Sequence, residues 1–396
     1  MTKIFTCFVN VISDPEPSKF NSMKIVFRLL CSLAVIAAVS CKDDNPGGST
    51  KTDEPMKVVR LARPAWYDNN PVEDGTAKYS VGTDPIRLEF FGWGESTDKT
   101  FTLDFPDDPS PYNRVILTYR MGGWNQGPSE WDNTTMFFVR NKQDNQWYEI
   151  ARAFTPYGGG FGADWHKEFY LDVTEFLPML RGETEFRAYY GGFDANDMRA
   201  HTVTLTFDLC EGASERKCVW TAKAYDTSRD GNTGYRAWAY GCAGYDIEAP
   251  ERLGARTFDL PAEVRTVGMR VAISGHGHDQ GKFPDRPNYR TKNAAEFDIN
   301  TYEIKLNDEA EGVVGNIFYS NADNYPQAGT YQYDRANWGP GNPLYTHYWE
   351  IQNLPESGGE LTLDFDLERF NSAMKEPNAE GIAQYIIEVD LFGYDR

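Results

Sequence analysis

Two carboxylates beside large aromatic residues are the clearest candidates for chemistry in this sequence. Asp132 follows Trp131 in SEWDNTT, directly before an apolar segment, and Glu296 lies in the segment AAEF. An aromatic neighbour removes a carboxylate from water and raises its pKa, which suits a general base or acid. Because the chain holds 59 acidic residues, most of them must be solvent-facing charge, and only their positions distinguish these two.

A third segment, DRANWGPG, adds a cation and another indole. It contains Arg335 and Trp338 between glycines and prolines. A guanidinium near carboxylates keeps them ionised and can stabilise a developing oxyanion. An indole offers a flat face on which the axial hydrogens of a sugar can stack. These residue types indicate a site built from carboxylates, one cation and aromatic walls.

The five histidines form no recognisable metal motif. His276 and His278 alternate in HGH at a predicted strand end, so they could share a face and chelate a metal ion, or they could line a polar cleft. No convincing third ligand lies nearby in sequence. Nucleophile-elbow, zinc-helix, C-x-x-C and phosphate-loop patterns are also missing. We therefore predict no metal and no cofactor, and the cleft interpretation is favoured.

Length and charge narrow the class of protein. A chain of 396 residues is long enough for two domains of ordinary size. The net charge of -20 and the lack of a long basic run in the mature chain argue against a nucleic-acid partner.

The start of the chain carries an export signal. Residues 23–41 read MKIVFRLLCSLAVIAAVSC, with basic residues first, then an apolar run, then small residues before Cys41. We expect Met23 to be the initiator and Cys41 to be lipidated, although a plain signal peptide is the alternative. The acidic segment 42–57 is a tether whose first residues resemble the export signal of Bacteroidetes surface lipoproteins. The expected location is the outer membrane, at the cell surface or facing the periplasm, with only the lipid in the membrane.

The cysteines left after this leader are Cys41, Cys210, Cys218 and Cys242. If Cys41 carries lipid, an odd number remains, which leaves one thiol unexplained in an exported protein. Cys210 and Cys218 could bridge a short loop, and Cys242 could replace either of them.

Short alternating segments, and not helical periodicity, dominate the rest of the chain. The predicted strands are residues 114–120, 134–140, 147–154, 185–190, 202–209, 266–274, 301–306, 360–365 and 384–391. One short helical turn is expected over residues 172–180, where Pro178 interrupts it.

A weak internal repeat predicts two similar antiparallel sandwiches in tandem. TFTLDFP leads into RVILTYRMGG in the first half, and RTFDLP leads into VRTVGMRVAISGHG in the second. The predicted fold is all-β. Its divisions are an upstream segment and leader at 1–41, the tether at 42–57, and domains at 58–212 and 213–396, joined near residues 210–220.

The same segments resemble the peptide-N-glycosidase F family. SEWD, WYEIARAFTPYG, LDVTEF and TEFRAYY match its first domain, and AISGHGHDQG, AAEFDINTYEIKLN and DRANWGPG match its second, in the family's order over roughly residues 85–395. The resemblance implies two adjacent jelly-roll-like sandwiches with an active site between them. It also implies an amidase that hydrolyses the bond between the innermost GlcNAc and asparagine, converts the asparagine to aspartate, and acts as a monomer on N-glycosylated proteins or glycopeptides.

Matched to the family's motifs, Asp132 is the primary catalytic carboxylate and Glu296 is a second acid that acts through a bridging water. Arg335 and Trp338 match residues that line the site, and Trp131 would shape the pocket. His276 and His278 fall at substrate-binding positions of the cleft, where His276 replaces a tryptophan of the family.

Several positions depart from the family. Gly191 stands where the family has a third carboxylate, and Asp194 or Asp197 are possible substitutes. Asn133 replaces an arginine, and residues 294 and 298 lack the cysteines that flank the second acid in the family. These changes leave open a catalytically impaired protein that only binds N-glycans.

A third interpretation follows from fold analogy with copper-dependent monooxygenases, which share the tandem arrangement. Those enzymes need two copper sites made of several histidines and a methionine. The five histidines here are too few and too scattered for that chemistry.

Overall fold

The computed structural model describes the greater part of the chain after the tether. The described residues are 55–73, 76–90, 97–192, 194, 196–226, 253–277, 279–280, 295–297, 299–307, 309, 312–355, 358–367, 380–381 and 384–396. Within the chain, Glu54–Arg396 forms one compact unit. The leader with Cys41, most of the tether, Cys242 and His278 lie outside the described residues, so the predictions made for them stay predictions.

Nearly all regular structure in these residues is strand. In chain order, the first ten strands are β1 (Lys57–Arg60), β2 (Ala77–Gly82), β3 (Ile86–Leu88), β4 (Asp98–Phe105), β5 (Tyr112–Gly123), β6 (Thr134–Asn141), β7 (Gln146–Phe154), β8 (His166–Asp172), β9 (Gly182–Gly191) and β10 (His201–Glu211). They are followed by β11 (Cys218–Asp226), β12 (Arg256–Leu260), β13 (Thr266–His276), β14 (Asp279–Gln280), β15 (Asn300–Leu306), β16 (Val313–Ile317), β17 (His347–Gln352), β18 (Gly359–Leu367), β19 (Glu380–Gly381) and β20 (Gln384–Tyr394). Every strand predicted from the sequence lies within one of these.

Short 3-10 segments lie at Gly158–Gly160 and Thr174–Met179. The second is the single turn expected from the sequence, and Pro178 lies inside it. Among the described residues, no helix is long and apolar enough to cross a membrane.

The first sandwich pairs two antiparallel sheets. One has the order β2-β10-β5-β8, with β3 also on β10, and the other has the order β4-β9-β6-β7. Apolar side chains from both sheets meet in one buried core, for example Leu117 and Tyr119 from β5 with Phe137 from β6 and Phe186 from β9. Alternation along each strand sends one set of side chains inward, which is why the period of two predicted these strands.

The second sandwich has the same plan. Its sheets have the orders β1-β17-β13-β20-β11 and β12-β18-β15-β16. Val271 and Ile273 of β13 meet Tyr302 of β15 and Phe365 of β18 in a second buried core. The internal repeat in the sequence has a structural counterpart. β4 and β12 are edge strands, and each leads into an inner strand of the opposite sheet, β5 and β13 respectively. The predicted all-β fold with two antiparallel sandwiches is confirmed.

Strand β1 departs from the predicted domain ranges. Residues 58–60 were assigned to the first domain, but β1 pairs with β17 of the second sandwich, with Lys57 opposite Gln352. The backbone groups at the open edge of β17 need partners, and this extended segment supplies them. Strand pairing over such a sequence separation has no local signature. The remaining division at 212 and 213 stays a prediction.

The two described cysteines are not joined. Cys210 pairs with β5 in the first sandwich, whereas Cys218 begins β11 and pairs with β20 in the second. The bridge that the sequence left open for this pair is therefore not formed. Burial raises the pKa of both thiols, to about 12 for Cys218.

Buried charges join the two sandwiches. The backbone N–H of Glu149 donates to Glu388 Oε1 over 2.6 Å, and Arg152 Nη1 donates to the carbonyl of Ile386 over 3.0 Å. Arg152 Nη2 also pairs with Glu149 Oε2 over 2.6 Å, and both side chains are fully buried. Burial raises the pKa of Glu388. Such a network is satisfied only while the sandwiches remain docked.

Replacing Arg152 with methionine tests how much this junction stabilises the fold. Arg152→Met removes the nearer cation of buried Glu149 and leaves it with Arg270 at 4.0 Å, so we expect the free energy of unfolding to fall by about 3–5 kcal/mol. The control is Arg120→Met, since Arg120 and Glu168 form a partly exposed pair at 3.0 Å. That change should cost less than about 1 kcal/mol. Equal losses in denaturant unfolding would contradict the role assigned to the network.

Candidate active site

Asp132 is held in a turn that a buried threonine clamps from both sides. The Thr155 hydroxyl donates to the carbonyl of Trp131 over 2.8 Å and accepts the N–H of Asn133 over 2.7 Å. The Thr155 N–H returns a bond to the Asn133 carbonyl over 2.9 Å. Asp132 therefore lies just before β6, and the backbone on each side of it is fixed by hydrogen bonds to Thr155.

Glu296 is pinned between the end of β13 and the Arg335 segment. Its N–H donates to the Gly277 carbonyl over 3.2 Å, and its carbonyl accepts the N–H of Ala336 over 2.9 Å. Gly275 makes this approach possible, because a Cβ there would lie 2.0 Å from the Ala295 carbonyl oxygen. Glycine is required at this contact for steric reasons.

Arg335 is presented by a turn that asparagine allows. A backbone bridge joins Arg335 to Tyr319, and Asn337 has a φ of 66°, a left-handed conformation that asparagine tolerates. The Asn337 amide is buried and holds the turn by donating to the carbonyl of Ile273. Trp338 Nε1 then donates to the Gly275 carbonyl over 2.8 Å, next to the Glu296 loop.

The structure brings both acids onto this one guanidinium. Arg335 Nη2 lies 3.1 Å from Asp132 Oδ2, and Arg335 Nη1 contacts Glu296 Oε1. The Arg335 side chain is fully buried, while those of Asp132 and Glu296 remain partly accessible. Asp132 belongs to the first sandwich and the other two residues to the second, so the cluster lies at their junction.

Two further residues complete the cluster and were missed by sequence reasoning. Arg335 Nη2 donates to the Tyr157 hydroxyl over 3.2 Å and to Thr330 Oγ1 over 3.0 Å. The Tyr157 hydroxyl also hydrogen-bonds the Asp132 carboxylate and lowers its pKa. No local pattern distinguishes Tyr157 among 23 tyrosines, because its function depends on where the second sandwich docks.

The protonation of Asp132 reflects opposing effects. Burial raises its pKa above the usual value, while the Arg335 cation and the Tyr157 hydroxyl oppose that rise. The net direction is upward. A carboxylate whose pKa is moved towards neutrality is better matched to proton transfer than a fully solvated one.

Aromatic residues flank the cluster in two different ways. Trp131 is 55% exposed beside Asp132, and Tyr333 is 61% exposed beside the Arg335 segment. Trp338, which was expected to line the site, is instead buried beneath it. Its ring is 4.4 Å from the Arg335 guanidinium carbon and 4.4 Å from the ring of Phe154. Trp338 therefore supports Arg335 and has no open face for a sugar.

His276 lies on the same aromatic base. Its ring stacks on Trp338 at 5.4 Å, and Nε2 is 2.7 Å from Ser274 Oγ. Burial and the cations of Arg152 and Arg335 lower the pKa of His276 to about 3, so the imidazole is neutral. His276 thus packs against the indole that supports the charged cluster, and its predicted part in substrate binding stays a prediction.

The predicted substitute acids occupy different places. Asp194 is buried and accepts hydrogen bonds from the Phe90 N–H at 2.7 Å and the Tyr190 hydroxyl at 3.1 Å. That hydroxyl accepts a bond from Asn133 Nδ2 at 3.0 Å, so Asp194 reaches the site only through two other side chains. Asp197 is exposed and contacts Arg87 through its carbonyl.

Gly191 is also exposed, and no carboxylate occupies its position. Neither Asp194 nor Asp197 makes a described contact with Asp132, Glu296 or Arg335. The described contacts therefore do not support Asp194 or Asp197 as a replacement for the carboxylate that the family has at the position of Gly191. The physical reason is that the Asp194 carboxylate is already used to satisfy the buried Phe90 N–H and Tyr190 hydroxyl.

The described residues contain no group of three or more histidine, cysteine, aspartate or glutamate side chains arranged to hold a metal ion. His347 is buried in the second core, where its Nδ1 hydrogen-bonds the Tyr302 hydroxyl over 2.6 Å. His201 is buried at the start of β10 in the first sandwich. His201 and His347 thus lie in different sandwiches.

The sequence is similar to that of a known amidase. The chain is 25% identical over 360 residues to the peptide-N(4)-(N-acetyl-beta-D-glucosaminyl)asparagine amidase F of Elizabethkingia miricola, covering 88% of this chain and 91% of the relative. The resemblance to the peptide-N-glycosidase F family that the sequence motifs indicated is thereby confirmed. No family model matches the chain.

Solved structures show the same fold. The crystal structure of a peptide-N(4)-(N-acetyl-beta-D-glucosaminyl)asparagine amidase superposes with a TM-score of 0.64 at 22% identity, over 80% of this chain and 96% of the other. PNGF-II superposes with a TM-score of 0.54 at 15% identity, over 85% of this chain and 65% of the other. The two-sandwich architecture of peptide-N-glycosidase F is therefore present here.

Replacing Arg335 tests the electrostatic coupling of the cluster. The cation favours the ionised form of Asp132, so Arg335→Gln should raise the pKa of Asp132 further. An NMR titration of side-chain carboxyl carbons measures this, with Asp132→Asn to assign the resonance. Arg335→Lys is the matched control, because it keeps the charge and should limit the rise. An unchanged pKa of Asp132 in Arg335→Gln would contradict the pairing.

Proposed function

We propose that the protein is a peptide-N-glycosidase that hydrolyses the amide between the innermost GlcNAc and asparagine, releases the glycan and leaves aspartate. The observation that carries this proposal is the joint contact of Asp132 and Glu296 with Arg335 at the sandwich junction. The similarity to the amidase of Elizabethkingia miricola supplies the substrate class. The substrates are N-glycosylated proteins or glycopeptides, and no cofactor takes part.

Asp132 acts on the attacking water in this proposal. Its carboxylate takes a proton from water, and the resulting hydroxide attacks the asparagine carbonyl carbon. The C–N bond then breaks, and the proton passes to the leaving nitrogen as the glycosylamine departs. The glycosylamine subsequently decays to sugar and ammonia, while the asparagine side chain has become aspartate.

Glu296 and Arg335 set the charge of the site. Arg335 carries one positive charge against two acids, so it keeps at least one of them ionised and able to accept a proton. Its guanidinium also favours negative charge that develops on the attacked carbonyl oxygen. Glu296 holds a water between itself and the substrate. Trp131 and Tyr333, exposed on either side, supply faces for sugar stacking.

Loss of Asp132 should remove the activity. Asp132→Asn should lower deglycosylation of a denatured glycoprotein by roughly 100-fold or more, and Glu296→Gln should also lower it. A gel-mobility shift together with mass spectrometry of the Asn-to-Asp conversion measures the result. Asp104→Asn, an exposed change on β4, should leave activity unchanged. Wild-type protein that converts no high-mannose, complex or core-fucosylated substrate would refute the amidase proposal.

A glycan-binding protein with impaired catalysis is the second candidate. It is favoured by Gly191, which carries no third acid, and by the engagement of Asp194 in buried hydrogen bonds. In that case wild type and Asp132→Asn would bind the same glycopeptide with similar affinity, and neither would convert asparagine. Calorimetric binding and the conversion assay on the same two proteins separate the candidates.

We also propose that Cys41 carries a lipid that anchors the protein at the bacterial outer membrane. The support is the apolar run followed by small residues and cysteine in residues 23–41. Cys41→Ser should abolish incorporation of labelled fatty acid and move the protein from the membrane fraction to the soluble fraction. Equal labelling of wild type and variant would exclude this anchor.

A further inference from the structure

His276 is connected to the sandwich junction by a hydrogen-bond relay. Arg152 Nη1 donates to Ser274 Oγ over 2.8 Å, and Ser274 Oγ lies 2.7 Å from His276 Nε2. Arg152 is itself fixed by Glu149 and by the carbonyl of Ile386. Ser274 and Arg152 are buried. The relay therefore starts at the buried charge network and ends at the aromatic base of the site.

The relay has only one consistent direction. A guanidinium only donates, so Ser274 Oγ must accept from Arg152. The Ser274 hydroxyl proton has no described partner other than His276 Nε2, and a buried donor without an acceptor is costly. Nε2 of His276 consequently accepts. A neutral imidazole that accepts at Nε2 carries its proton on Nδ1.

The Nδ1–H group of His276 is the donor that remains for a ligand. Among the described residues it has no hydrogen-bond partner, and the side chain is partly exposed. The ring rests on Trp338, and Trp338 lies directly beneath Arg335. The His276 ring therefore adjoins the indole that supports the cluster formed by Arg335, Asp132 and Glu296.

Building on the amidase function proposed above, we propose that His276 donates a hydrogen bond from Nδ1–H to a carbonyl oxygen of the substrate, and that Arg152 and Ser274 hold it in this tautomer. Two carbonyl groups adjoin the bond that is cleaved, namely the asparagine amide and the N-acetyl group of the first sugar. Both accept a hydrogen bond from a neutral donor. A neutral donor also leaves the balance of charge around Arg335 unchanged.

Two substitutions of His276 separate the donor from the ring. In His276→Asn the amide nitrogen is attached to Cγ, as Nδ1 is in histidine, so this variant keeps a donor at that position. In His276→Gln the amide nitrogen lies one bond further out, nearer the position of Nε2. We expect Asn to retain most of the activity and Gln to lose it. Equal activity of the two variants, or better activity of Gln, would overturn the proposal.

The kinetic parameter that changes identifies the carbonyl. If the donor binds the N-acetyl oxygen, His276→Gln should raise KM by about 10-fold and leave kcat near wild type. If it stabilises the oxyanion of the scissile amide, kcat should fall by roughly 100-fold. A variant with neither change would show that His276 does not contact substrate.

Nitrogen NMR of histidine-labelled protein tests the relay without any activity. Wild type should show His276 protonated at Nδ1 and unprotonated at Nε2 at neutral pH, and Ser274→Ala should shift the proton towards Nε2. Wild type protonated at Nε2 would overturn the relay. If wild type has no amidase activity, the function proposal fails by itself, and titration of Asp132→Asn with a glycopeptide still decides whether the Nδ1–H resonance moves on binding.

Discussion

A single buried guanidinium depends on acids from two separate sandwiches. Arg335 has no solvent to neutralise it, and a buried cation is tolerated only when counter-charges and hydrogen-bond acceptors surround it. Asp132 comes from the first sandwich and Glu296 from the second. The charge of Arg335 is therefore balanced by both acids only when the sandwiches are docked. Docking of the sandwiches and assembly of the site are thus coupled.

The junction beneath Arg335 is built to keep that docking geometry. Phe154, Ala272, Trp338 and Leu344 form a small buried apolar cluster drawn from both halves. Backbone hydrogen bonds reinforce this cluster, since the N–H of Phe154 donates to the carbonyl of Asn342 and the N–H of Leu344 donates to the carbonyl of Arg152. Trp338 contributes both to this cluster and to the cation–π contact with Arg335. A buried indole in this place explains why its role is support and not sugar stacking.

Asn133 and His276, two positions at which the sequence departs from the peptide-N-glycosidase F pattern, are each oriented by a hydroxyl group. Asn133 is oriented by the Tyr190 hydroxyl, which in turn donates to Asp194. Gly192 leaves space for this contact, since a Cβ there would lie 2.5 Å from Asn133 Cγ. His276 is oriented in a similar way by Ser274.

Local sequence determined the strands and the all-β class, and it singled out Asp132 and Glu296 as candidates, because alternation and motifs such as SEWD and AAEF are properties of neighbouring residues. The same source could not assign Tyr157 or Thr330 to the site, predict that β1 joins the second sandwich, or reveal that Trp338 is covered. Asp194 shows this limit of sequence analysis most clearly. The sequence allowed its carboxylate to act in the site, but in the fold that carboxylate accepts hydrogen bonds from the Phe90 N–H and the Tyr190 hydroxyl. Only the tertiary structure decided these points, because burial and hydrogen-bond partners are set by contacts between segments far apart in the chain.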